Sequence, residues 1–140
     1  MKTLFEKKEG KTLLTSTSVD ALIDVAEHRG YRVRWHKKGP KAAWLPPHTI
    51  SLRDGMTDVA TLCALAHELG HAEAGDPPGH TGTAEIRADR FAARLLIDPT
   101  EYRAAELIYG SHPARLAYEL GVTTHILTTW ASLHEQTLAT

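Results

Sequence analysis

The hydrophobic pattern of this chain changes period several times, and each change predicts an element. Leu22, Ile23 and Ala26 recur at helical spacing behind Thr17 and Asp20, which stand at capping-box spacing, and Gly30 closes the segment. A helix is predicted from Val19 to Arg29. From Tyr31 the period drops to two: Tyr31, Val33 and Trp35 alternate with Arg32, Arg34 and His36, which predicts a half-buried strand. KKGPK reads as a turn, and AAWL (42–45) and HTISL (48–52) as short strands around Pro46 and Pro47. Helical spacing returns near Thr57 or Asp58 and continues to about Ala74. GDPPGHTGT is a loop, and Glu85 to Ile97 is the next helix, stopped by Asp98 and Pro99. TEYRAAELIYG is another helix, and PARLAYELGVTTHILTTWASLHEQ reads as two short ones broken at Gly121.

This order predicts an α+β fold, with a small antiparallel sheet of about three strands packed on a predominantly helical domain. Residues 1–16 are polar and expected to be a flexible N-terminal segment, and 17–140 a single domain.

Composition narrows the function classes. The chain has 140 residues and a formal net charge of -1, so bulk electrostatics give no general attraction to nucleic acid or anionic lipid. Its one cysteine, Cys63, permits no intramolecular disulfide, which fits a reducing compartment. The N-terminus is broken by charges, and no apolar run approaches the ~20 residues of a membrane span. The expectation is a cytoplasmic protein without a membrane partner.

Chemistry concentrates in TLCALAHELGHAEAGD. His67, Glu68 and His71 form H-E-x-x-H inside a helical segment. On a helix, positions i and i+4 share a face, so two imidazoles can hold one zinc ion. Glu68 stands beside the first ligand and is placed to accept a proton from water rather than to bind the metal. In a chain with nine histidines this pattern arises by accident about 0.04 times.

A catalytic zinc needs a third protein ligand and an open fourth position. Pro77 stands where a metzincin has its third histidine, which excludes that class. Glu85 is the favoured third ligand and His80, in the Gly/Pro loop, the runner-up. Asp89 lies one turn beyond Glu85 on the same face. This matches the E-x-x-x-D arrangement of gluzincins, where the Asp hydrogen-bonds a ligand histidine. Cys63 falls four residues before His67, and its expected role is a small buried hydrophobe rather than a ligand.

LAHELGHAEAGD followed by ExxADRFAARLLIxP resembles the ImmA/IrrE family of metallo-endopeptidases, and the likeness extends over residues 19–134. The resemblance implies that His67, His71 and Glu85 bind Zn2+, that Glu68 is the catalytic base and that Asp89 orients a ligand. Arg87 replaces an acidic residue found in many members, and Asp98 separates Ile97 from Pro99. The resemblance further implies cleavage of a regulatory protein partner, often a helix-turn-helix repressor of a phage or mobile element.

Some assignments stay open. Tyr102, Tyr109, His112 and His125 are candidates for stabilising the oxyanion. HTISL, through Thr49, Ile50 and Ser51, is expected at a sheet edge, where an extended substrate can add as a strand. Two rival functions remain: a DNA-binding regulator built on LAYELGVTTHILTTW, and a zinc-binding interaction protein without turnover. The would-be recognition helix, Thr123 to Trp130, lacks Lys and Arg, which argues against nucleic acid as a partner. Residues 29–53 carry seven Lys/Arg and no acid, the pattern of a solvated sheet face or of a surface for an acidic partner.

Overall fold

A computed structural model describes residues 17–139. The expectation for residues 1–16 lies outside the described residues. Helix α1 (Val19–His28) leads into β1 (Arg32–His36), β2 (Ala42–Leu45) and β3 (Thr49–Arg53). Then follow α2 (Asp58–Ala74), α3 (Gly82–Leu96), α4 (Pro99–Tyr109), α5 (Pro113–Leu120) and α6 (Thr124–Ala139). The α+β class holds. Ser18 rather than Thr17 caps α1, accepting from the Ala21 N–H at 3.0 Å. Helix α3 begins three residues earlier than its apolar pattern does, at Gly82, because none of Gly82, Thr83 and Ala84 is buried and the first turn carries no apolar signal.

The sheet differs from the expected antiparallel one. Its order is β1-β3-β2; β3 runs antiparallel to β2 but parallel to β1. Strand β3 is therefore central and has backbone partners on both sides, with Ile50 0% and Ser51 2% exposed. This corrects the assignment of Thr49, Ile50 and Ser51 as a substrate-binding edge: their backbone groups have no free side to offer. The edges belong to β1 and β2.

One sheet face is apolar and closes the core. Trp44, Ile50 and Leu52 meet Leu22 and Ala26 of α1 and Leu62, Leu65, Ala66 and Leu69 of α2. Removing such side chains from water is the main force that fixes α2 across the sheet. The C-terminal helices add Leu116, Leu120, Val122, Ile126, Leu127 and Trp130 to the same core. The α5–α6 pair thus spends its apolar face on packing. Cys63 is buried there too, with its sulfur 3.5 Å from the Thr123 N–H.

Helix α3 lies close along α2, and Gly70 permits it. A Cβ at Gly70 would sit 3.0 Å from the Ala88 Cα and 3.1 Å from the Phe91 Cβ. This glycine has no need of an unusual backbone angle. It is required by the space that α3 occupies.

Candidate metal centre

Thr57 caps α2 by accepting from the Ala60 N–H at 3.1 Å, and the helix then runs unbroken through His67, Glu68 and His71. The i, i+4 spacing places the two imidazoles side by side, with their Nε2 atoms 3.2 Å apart. Glu85, from the first turn of α3, completes a triangle. Its Oε1 is 3.1 Å from His67 Nε2 and 3.0 Å from His71 Nε2. Ligand atoms about 2.0–2.1 Å from a tetrahedral zinc lie roughly 3.3 Å from one another. Three donors, one charged, with near-equal separations close to that value fit a divalent cation. They converge from two helices held together through Gly70.

The back of each imidazole is tied to a carboxylate. His67 Nδ1 lies 2.8 Å from Asp89 Oδ1, the contact expected from the sequence. His71 Nδ1 lies 2.9 Å from Asp76 Oδ2, which the sequence reading missed. An imidazole that donates through Nδ1 leaves the Nε2 lone pair free for a metal. Both histidines therefore present the right nitrogen.

Asp76 reaches His71 because of how α2 ends. Gly75 takes the left-handed conformation at φ 71°, its N–H donates to Ala72 O, and the Asp76 N–H donates to His71 O at 3.0 Å. This crossed pair of bonds turns the chain back over the last turn of the helix. Glycine followed by aspartate directly after the H-E-x-x-H helix is the signal that was present in the sequence. Two further contacts hold Asp76. Arg87 donates to its other oxygen, and Trp44 Nε1 donates to its carbonyl at 2.8 Å. Arg87, noted only for replacing an acid, grips the group that orients His71.

Electrostatics follow from this crowding. Burial tends to lower the His71 pKa, but its bonds to Asp76 and Glu85 outweigh that and hold it above the ordinary imidazole value. A metal must displace that proton, so binding is coupled to pH. Glu85 is pushed up by burial, yet the surrounding histidines, His67 first, bring it below the usual carboxylate range.

Glu68 stands apart from the triangle. It is 2% exposed; burial pushes its carboxyl up, against the pull of His80, His67 and His71. Its Oε1 has no hydrogen-bond partner among the described residues. A buried carboxylate oxygen left without a partner is costly unless something visits it.

His80 joins the cluster, whose four donor atoms from His67, His71, His80 and Glu85 lie within 4.8 Å of one another. Its Nδ1 is 3.0 and 3.1 Å from the two Glu85 oxygens. Glu85 and His80, weighed as alternatives in the sequence, are thus both present.

Among the described contacts of the four oxyanion candidates, only that of His125 reaches the carboxylates and imidazoles of this cluster. Its Nε2 is 2.8 Å from Asp89 Oδ2, so it is tied to the carboxylate behind His67. Tyr102 packs at a tilt on Trp130, Tyr109 lies under Arg115, and His112 stands at the start of α5 beside Gly110, without a side-chain cap bond.

A helix bearing two histidines and a glutamate, completed by a glutamate from the next helix, is an arrangement that can serve a metal-dependent peptidase. The family comparison agrees: residues 19–129 match the model of a peptidase family described as the IrrE N-terminal-like domain. The chain belongs to that family and is a metallopeptidase. No match to a curated protein or to a solved structure was found.

Proposed function

We propose that the chain is a zinc-dependent endopeptidase acting on a regulatory protein, with a helix-turn-helix repressor of a phage or mobile element as the favoured substrate. His67, His71 and Glu85 would hold the ion. When bound, zinc supplies a Lewis acid that polarises the scissile carbonyl and makes water acidic near neutral pH.

The observation that carries this reading is Glu68. It is buried on the ligand helix, excluded from the triangle of donors, and has an oxygen without a partner. A purely structural metal site has no use for such a group. A general base needs it: Glu68 takes a proton from the attacking water and delivers it to the leaving amine. Burial raises its carboxyl above the ordinary carboxylate value, the direction a general base needs. Asp89, Asp76 and Arg87 keep the two imidazoles oriented while the proton moves.

Substrate presentation moves to β2. This edge strand is tied to the end of α2 by Trp44 and Asp76. The Arg53 N–H donates to Lys41 O, so the antiparallel alternation turns the backbone groups of Ala42 and Trp44 away from β3. An extended peptide can pair with them.

The test is mass spectrometry of a candidate repressor, encoded beside this chain, incubated with it. Cleavage at one bond is expected, abolished by a chelator and reduced by about 10²–10⁴ in Glu68→Gln, which keeps its metal. Normal cleavage by Glu68→Gln would refute the role given to this residue.

A further inference from the structure

We propose that His80 is a removable fourth ligand, which closes the metal centre in the resting protein and must swing away before water can reach it. The proposal rests on the metal site assigned above and concerns its regulation.

The position of the ring is the main observation. His80 Nδ1 faces Glu85 at 3.0 Å, while its Nε2 lies 3.6 Å from Glu68 Oε2. The imidazole therefore stands between the donor cluster and the base. An attacking water has to occupy that same place, because it must touch both the metal and Glu68. The ring is also packed in: it stacks on His67 with centroids 5.7 Å apart and planes 12° from parallel. Its edge contact with His71 spans 5.4 Å between centroids at 89°. Three protein donors with an open fourth position define a catalytic zinc site, and four define a closed one.

The loop that carries His80 is built to release it. Asp76 on one side is fixed by His71, Arg87 and Trp44. Gly82 on the other side begins α3. Between them Pro77, Pro78, Gly79 and His80 are all exposed, and no backbone hydrogen bond ties these four among the described residues. Gly79 sits at φ +108°, open to glycine and strained for other residues. Lifting the loop breaks the contacts of His80 with Glu85, His67 and His71 but leaves these three on their helices, with His67 and His71 still held by Asp89 and Asp76. A substrate lying over the site would displace His80, so the base meets water only when a peptide is present. A resting protein closed in this way is guarded against indiscriminate proteolysis.

Cobalt substitution tests this without relying on activity. Wild-type protein loaded with Co2+ is expected to show a visible spectrum that added azide does not change, because no coordination position is open. His80→Ala and His80→Phe should each bind Co2+ and Zn2+ at least roughly tenfold more weakly in chelator competition. The Co2+ spectrum of His80→Ala, which leaves that position open, should respond to azide. His80→Phe keeps a ring in the space, so loss in both variants separates ligation from filling. Circular dichroism checks that both remain folded. A wild-type Co2+ spectrum that responds to azide, or metal affinity unchanged in both variants, would overturn the fourth-ligand role while leaving the triangle intact. A wild-type chain that binds neither metal would overturn the metal site itself, and this proposal with it.

Discussion

His71 and Asp76 are joined across one turn of chain, Nδ1 to Oδ2 at 2.9 Å, and that bond aims His71 Nε2 at the same point as His67 Nε2 and Glu85 Oε1. Asp89 does the same for His67. Replacing either carboxylate by the amide keeps the shape but removes the charge that fixes the tautomer. Asp76→Asn and Asp89→Asn should each lower zinc affinity by about 10–100-fold. Arg87→Ala, which only loosens Asp76, should cost less. Chelator competition reads all three, and equal affinities in wild type and both amide variants would remove the orienting role.

Gly70 sets the distance between α2 and α3. Alanine there gains helix propensity of up to about 1 kcal/mol. Its Cβ would meet backbone of Ala88 at 3.0 Å and the Phe91 Cβ at 3.1 Å, neither the end of a flexible side chain. Overpacking of this kind costs about 1–3 kcal/mol. Gly70→Ala should therefore lower Tm and weaken metal binding together, because Glu85 and Asp89 ride on α3. Thermal melts and zinc titration of the same preparation check this. An unchanged Tm with unchanged affinity would show that α3 tolerates the methyl.

Much of the site was legible before the fold was known, and the reason is periodicity. His67, Glu68, His71, Glu85 and Asp89 lie on two helices, and helical spacing alone states which residues share a face. Pairing between strands carries no such local rule. Alternation in HTISL correctly marks a strand, yet says nothing about its neighbours. Strand β3 inserts between β1 and β2, so Ser51→Pro removes a donor from a buried central strand. That substitution is expected to disrupt the sheet, not to report on substrate binding. Asp76 escaped for a related reason, and His80 was legible only as an alternative to Glu85: both lie in a loop, where direction depends on a glycine turn and not on a period.

A second network predicts the pH range of stability. Glu73 accepts from Arg29 and from Tyr31 Oη, the latter at 2.6 Å, linking α2 to the end of α1 and the start of β1. Burial pushes Glu73 up, but these bonds outweigh it and hold its pKa below the ordinary value. Its contribution is present above the unfolded carboxylate pKa and is lost as pH falls through the lower folded one. Tyr31 is pushed up to about 12, first by burial and then by its bond to Glu73. Its contribution is present below the unfolded value of about 10 and is lost as pH rises from there toward 12. Tm measured against pH should fall less at both ends in Glu73→Gln than in wild type. Parallel profiles for the two proteins would exclude the network as the cause.

Metal stoichiometry bears most directly on the site. The chain, purified without added metal, should carry one zinc ion per molecule by inductively coupled plasma mass spectrometry. His71→Ala and Glu85→Ala should each lose most of it while keeping the helical circular dichroism signal. A metal-free wild-type chain that cannot take up zinc, or zinc content unchanged in both variants, would contradict the assignment of His67, His71 and Glu85 as the metal centre.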